Sequence, residues 1–253
     1  MTNTVVTAFS AKGYHEYGAR MLESWAKYNN GHKLVVYTSD MDQCLPDVEQ
    51  REQSDIPGFK EFLAKWDGNK AVAGREPIPG RWKQRELQVG YSYKWDSYKF
   101  FRMVAVMHHA AHAQGTGIMI WLDGDNVIRE KSPHDLFTRW LPDDCAYAYL
   151  GREPKHSETG FVVFRLPDAL PILDAWYAYY TYGTFLLEDE WHSAYLFDRA
   201  REQFPGIKGH NLTPGGSGHV IFQCSVGDWT MHNKGSRKSK GYSPEAFARA
   251  KRS

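Results

Sequence analysis

Ile118-Met119-Ile120-Trp121-Leu122-Asp123-Gly124-Asp125-Asn126 is the stretch on which the reading of this chain turns. A short continuous apolar run, rich in β-branched and aromatic side chains, predicts a strand buried on both faces. Asp123 and Asp125 stand where that strand ends, and side chains two apart on extended backbone point the same way. Gly124 between them lets another group approach the backbone closely. Two carboxylates converging at the carboxyl end of a buried strand repel each other unless a cation lies between them. Hard divalent ions such as Mg²⁺ and Mn²⁺ take oxygen ligands, commonly a carboxylate or two together with substrate phosphates. In open α/β sheets that end of the strands is also where ligands bind. Asp-Gly is a turn dipeptide too, so these three residues alone also fit a solvated turn. The apolar run before them and the rest of the chain favour a metal and diphosphate site.

Working outward, Val5 to Phe9 predicts a first strand, and Tyr14, Tyr17, Met21, Leu22 and Trp25 repeat at helical spacing up to Asn29-Asn30-Gly31. Leu34 to Tyr37 predicts a second strand, so the opening is β-α-β with parallel strands and a right-handed crossover. Residues 41–91 lack clean periodicity and contain Pro46, Pro57, Pro77 and Pro79, with one short helical candidate from Phe59 to Trp66. A connection of this length is usually functional or mobile. A long helix is predicted from Ser92 to Gln114, leading into the strand that ends at Asp123. Beyond it the pattern predicts a short helix from Pro133 to Phe137, and strands at Ala146–Leu150, Phe161–Phe164 and Val220–Phe222. It also predicts helices at Leu173–Tyr180 and Glu190–Phe204, a loop from Thr230 to Lys240, and a last helix opening at Ser243-Pro244-Glu245. The whole fits a single α/β domain over residues 1–253, with 41–91 as an irregular insertion and 241–253 as a basic tail.

The 253 residues, 42% hydrophobic and 15% aromatic, describe a folded globular chain with a substantial core. A net charge of +1 gives no global basic field for nucleic acid or membrane. The charge is uneven, however: residues 234–252 carry Lys234, Arg237, Lys238, Lys240, Arg249, Lys251 and Arg252 against the single acid Glu245. Cys44, Cys145 and Cys224 are scattered, make no metal-type spacing and suggest a reducing compartment. With no apolar run near the length of a membrane span and no signal-peptide pattern, the expected location is cytoplasmic. His108, His109 and His112 are read as structural, although His108 and His112 can share a helix face.

The second informative stretch is Met231-His232-Asn233-Lys234-Gly235-Ser236-Arg237-Lys238. It offers an imidazole, a flexible glycine and three cations, which suits a metal and phosphate loop as well as an exposed basic one. Together, an apolar strand ending in Asp123-Gly124-Asp125 and a distant His232-x-x-Gly235-x-x-Lys238 resemble the DxD and HxxGxxK motifs of GT-A-fold glycosyltransferases, in particular glycosyltransferase family 8 and its bacterial and phage relatives. The opening Ser10-x-x-Gly13-Tyr14, the Pro133-x-x-Leu136 segment and the Glu158-Thr159-Gly160-Phe161 run add to the likeness, which spans residues 4–238 except 41–91.

The resemblance implies a GT-A fold and a metal-dependent transfer from a nucleotide-diphosphate sugar, a UDP-sugar, with retention of configuration. It implies Mn²⁺ or Mg²⁺ on Asp123, Asp125 and His232, and Lys238 on the diphosphate, with Gly235 in the same loop. Ser10 and Tyr14 would meet the base, Lys99 the donor, and Thr159 and Gly160 the donor sugar. Asp189 and Glu190 resemble the family's pair beside the reacting carbon. The acceptor is open: a glycan, or DNA carrying hydroxymethylated bases, with the basic tail on the duplex and Phe59, Phe62, Trp66, Trp82 and Tyr91 holding an extruded base. A metal-dependent phosphoesterase and a non-catalytic sugar-nucleotide-binding module are the rival readings. The Thr230–Lys240 loop is expected to be mobile without donor, on the ground that its His and Lys gain partners only from metal and diphosphate.

Overall fold

A computed structural model describes residues 3–77, 90–215, 220–235 and 237–240. Pro79, Trp82, Ser236, the predicted helix from Ser243 and the tail from residue 241 onward lie outside the described residues. The centre is a seven-stranded sheet built from β1 (Thr4–Ser10), β2 (Leu34–Ser39), β3 (Glu49–Glu52), β4 (Gly117–Leu122), β6 (Tyr147–Arg152), β7 (Lys155–Leu166) and β8 (Gly209–Asn211). Their order is β3-β2-β1-β4-β7-β6-β8. The pairs β3/β2, β2/β1, β1/β4 and β6/β8 are parallel, whereas β4/β7 and β7/β6 are antiparallel. The sheet is thus mixed and mostly parallel, and helices cover both faces. A separate two-stranded ribbon pairs β5 (Asn126–Ile128) with β9 (Thr230–His232).

The pleat sorts side chains between two apolar layers. Val6, Met119, Trp121, Val162 and Phe164 face α2 (Phe59–Trp66), α3 (Ser97–Gln114), α4 (Leu170–Thr181) and α5 (Ser193–Glu202). Val5, Phe9, Ile118, Ile120, Leu122, Phe161 and Val163 face α1 (Ala19–Tyr28) and the residues Leu136, Trp140, Val220 and Trp229. Every residue of β4 is buried, as its unbroken apolar sequence requires of a strand covered on both sides. Truncating Trp121 in such a strand would cost roughly 3–5 kcal/mol.

Several expected elements take another form. The helix over Ser92–Gln114 begins at Ser97, because Tyr93–Trp95 forms a 3₁₀ turn and Asp96 caps α3, its carboxylate accepting from the Lys99 amide at 2.9 Å. The helix from Tyr14 opens as a π turn over Tyr14–Gly18 before α1. The segment from Pro133 makes only turns, with Leu136 N donating to Pro133 O. Val220–Gln223 is a 3₁₀ helix and not a strand; its three apolar residues all serve one core layer, which the alternation of a strand would have split. The irregular 41–91 region contains a strand: Glu49–Glu52 adds to the sheet edge beside β2, and its charged sequence carries no apolar signal.

Candidate functional site

The parallel strands β2, β1 and β4 lie side by side and end on one edge, where Ser39, Ser10 and Asp123 border a cleft of about 900 Å³. Its floor is set by the turn between β4 and β5. Asp123 stays on the side of Trp121, whose indole N–H donates to Asp123 Oδ1 at 2.9 Å. The Asn126 amide and side-chain NH₂ both donate to the Asp123 carbonyl, which folds the chain back over one residue pair. Gly124 sits so close to β1 that a Cβ would come within 3.0 Å of the Ala8 carbonyl and of the Phe9 ring.

The ribbon brings in the distant imidazole. Asn126 opposes His232 in the β5/β9 register, and Asn233 N donates to Asp125 O at 3.0 Å. His232 Nε2 then stands 2.8 Å from Asp125 Oδ1 and 3.5 Å from Asp123 Oδ2. One ligand atom from each of Asp123, Asp125 and His232 lies within 4.8 Å of the other two. Asp125 Oδ1 is buried, and despite the nearness of Nε2 no hydrogen bond lines up on it. Gly160 closes the back: a Cβ there would lie 2.5 Å from His232 Cε1 and 3.2 Å from Asp123 Oδ2. Its own amide donates to Glu158 and its carbonyl accepts from Asp123 N.

Charge is balanced within this group. Lys238 Nζ reaches Asp125 Oδ2 at 2.9 Å and lies 4.9 Å over the Tyr17 ring. Lys234 pairs with Glu158, which Arg152 also contacts at 3.3 Å. Burial pushes the Asp123 carboxyl above its usual range, with His232 opposing. Burial acts the same way on Asp125, but His232 and Lys238 outweigh it and hold that carboxyl well below the usual range. On Glu158, burial is outweighed by Lys234 and His232, leaving it at about 2. For His232, burial is outweighed by Asp125, and the imidazole is raised. The two carboxylates are thus pushed in opposite directions beside one imidazole, so Asp123, Asp125 and His232 titrate as one interacting group.

Of the residues singled out in the sequence, Ser10, Lys99, Thr159, Gly235 and Lys238 line the cleft with Asp123, Asp125 and His232. Ser10 caps the first helical turn, accepting from Gly13 N, and Thr159 shares a hydrogen bond with Ser193. Tyr14 is not among the lining residues. It packs on Phe9, and Tyr17, three residues on in the same π turn, takes the cleft side. Asp189 is exposed and, like Glu190, does not line the cleft; Glu190 Oε2 meets His192 Nε2 at 2.8 Å and Oε1 meets Lys94 at 3.3 Å. Phe59 and Phe62 are buried beside Phe101 and cannot hold a base, whereas Tyr91 lines the cleft half exposed. Within the stretch expected to be a loop, Thr230–His232 is strand β9 and Arg237–Lys240 is a short helix, and His232, Lys234 and Lys238 have protein partners. Glu158, Arg152, Lys234, His192 and Tyr17 also line the cleft, none of them given an individual role in the sequence reading. Glu158 had a signal in its place directly before Thr159-Gly160, and Lys234 in its place among the three cations of the Met231–Lys238 stretch. Among the described residues no helix is long and apolar enough to cross a membrane.

No family model matches the chain, and no curated protein matches it. Among solved structures, it is similar to a glycosyltransferase involved in the glycosylation of the major capsid of PBCV-1, at 13% identity and a TM-score of 0.47, with 100% of both chains covered. It is also similar to the apo form of mouse xyloside xylosyltransferase 1, at 11% identity and a TM-score of 0.48, covering 84% of this chain and 85% of that one.

Proposed function

We propose that the protein is a metal-dependent GT-A glycosyltransferase that moves a sugar from a nucleoside-diphosphate donor, a UDP-sugar, to an acceptor hydroxyl. The observation that carries the reading is the convergence of Asp123, Asp125 and His232, with Lys238 beside them, on the floor of a cleft at the carboxyl ends of three parallel strands. The donor set fits Mn²⁺ or Mg²⁺: two carboxylates and one imidazole whose ligand atoms converge, and a glycine that keeps the space beside His232 clear. Bound there, such an ion would supply positive charge against the departing diphosphate.

The chain's own residues divide the remaining work. Lys238 and Lys234 stand in the cleft on carboxylates, and each can exchange its carboxylate for a phosphate oxygen as the donor enters. Ser10 and Tyr17 border the end of β1, where the nucleoside would lie, and Tyr17 takes the place expected of Tyr14. Thr159, which lines the cleft, would border the sugar, while Gly160 does not line the cleft and lies behind it against His232 and Asp123. Glu158, kept ionised by Lys234, His232 and Arg152, supplies negative potential for an oxocarbenium-like sugar. Lys99 on the first turn of α3 and Arg102 form the opposite wall.

The test is a panel of nucleotide sugars with Mn²⁺, scored by nucleoside-diphosphate release with and without candidate acceptor hydroxyls. The expected result is release from one donor class, lost in Asp125→Ala and on chelation. Absence of turnover together with unchanged UDP–Mn²⁺ affinity in Asp125→Ala overturns the reading. Release of inorganic phosphate instead points to the phosphoesterase.

A further inference from the structure

Away from the cleft, the opposite end of α3 carries a second convergence of ligating atoms. His108 and His112 are one helical turn apart, and both Nε2 atoms point at one oxygen of Asp174 on the facing helix α4, at 3.0 and 2.7 Å. Their ligand atoms all lie within 4.8 Å of one another. His109, between them, turns the other way and bonds the Tyr37 hydroxyl at 2.9 Å, so the convergence selects the two histidines that share a face. The set is preorganised. The Tyr177 ring stacks on His108 at 4.1 Å and 14°, and the two imidazoles stand 4.5 Å apart. It is also reachable, since the His112 and Asp174 side chains are 45% and 51% exposed.

We propose that His108, His112 and Asp174 form a second metal site, for Zn²⁺ or a closely related late first-row divalent ion, that ties α3 to α4. Two histidines at i and i+4 on one helix face are a recurrent zinc-binding arrangement. Imidazole donors favour zinc, copper and nickel, whereas Mg²⁺ and Mn²⁺ favour oxygen. Tetrahedral zinc with bonds of about 2.0–2.1 Å holds its donors about 3.3 Å apart, so the two histidine–aspartate distances of 3.0 and 2.7 Å need to open by about 0.3 and 0.6 Å. Three protein ligands at the surface leave the fourth position to water. The donor sets of the two sites therefore differ in softness: two imidazoles and one carboxylate here, two carboxylates and one imidazole at the cleft. The tie has a consequence for the cleft, because the first turns of the same helix put Lys99, Phe100, Arg102 and Met103 into its wall.

The experiment is Zn²⁺ titration against a chromophoric chelator in a protein carrying Asp123→Asn and Asp125→Asn, so that the cleft takes no ion. One equivalent of Zn²⁺ should bind with a rise in melting temperature. In His112→Ala and in Asp174→Asn, each added to that background and checked for fold by circular dichroism, the affinity should fall at least about tenfold and the thermal shift should vanish. Mn²⁺ in excess should not displace the zinc. Undiminished zinc affinity in both variants, or no zinc bound by the background protein, overturns the site; displacement by Mn²⁺ overturns its assignment to zinc.

Discussion

Lys238 and a metal ion have claims on the same carboxylate, because the ammonium sits 2.9 Å from Asp125 Oδ2. Lys238→Ala is therefore expected to move two affinities in opposite directions. Mn²⁺ alone should bind a few-fold tighter, since a competing cation is gone, while UDP in the presence of Mn²⁺ should bind about tenfold weaker for want of a phosphate partner. Calorimetric titration of each ligand separates the two, and parallel changes would contradict the exchange. Gly160→Ala probes the same site sterically. Its Cβ would lie 2.5 Å from His232 Cε1, so the imidazole must shift, and Mn²⁺ affinity should drop at least about tenfold while overpacking costs about 1–3 kcal/mol. Glu190 gives a pH signature. Burial alone would raise its carboxyl, but His192 and Lys94 outweigh that and hold it at about 2 against an ordinary 4.5. A depressed folded value means stability fully present above about 4.5 and lost as pH falls toward about 2. Glu190→Gln should thus be less stable than the parent at about pH 7, and urea midpoints should show that gap closing through this window.

At the scale of elements, the strength of a local pattern decided what could be read ahead of the structure. The strand before Asp123 was legible because burial on both faces demands an unbroken apolar run, and the helix from Phe59 to Trp66 because its apolar spacing is helical. β3 was not, since Glu49-Gln50-Arg51-Glu52 is held by an edge ladder beside β2 and its side chains are charged. His232 and the two aspartates were legible as residue types at suggestive spacing, but the device that unites them was not. β9 is three residues long, and only its pairing with β5 turns His232 toward Asp125. Tyr14 and Tyr17 could not be told apart by spacing, because the π turn resets which of them faces the cleft. The start of α3 is an element whose stability is open to a direct test. Asp96→Ala removes the acceptor of the Lys99 amide and of the Tyr91 hydroxyl, at 2.9 and 3.0 Å. A cap of this kind contributes about 1 kcal/mol, up to 2 where partly buried, and urea unfolding should register a loss in that range. Since Lys99 sits on that turn and Arg102 on the next, donor affinity should weaken in the same variant.

For the whole molecule, the distribution of charge bears on the acceptor. The chain is nearly neutral at +1, yet residues 234–252 hold seven cations and one acid. Lys234 is on Glu158 and Lys238 is on Asp125, both inside the cleft. Arg249, Lys251 and Arg252 follow Gly241 and lie outside the described residues. A polyanionic acceptor such as duplex DNA would engage these and leave the cleft pairs to the donor. Each phosphate neutralised on a duplex adds close to one unit to the slope of log affinity against log salt. Truncation after Gly241 should therefore weaken duplex binding at low salt and flatten the slope by no more than about 3, while donor hydrolysis is retained. Fluorescence anisotropy over a salt series, on the full chain and the truncated one, measures both quantities. An undetectable affinity at low salt, or an unchanged slope after truncation, removes DNA from the candidates and leaves a glycan or other uncharged hydroxyl to accept the sugar.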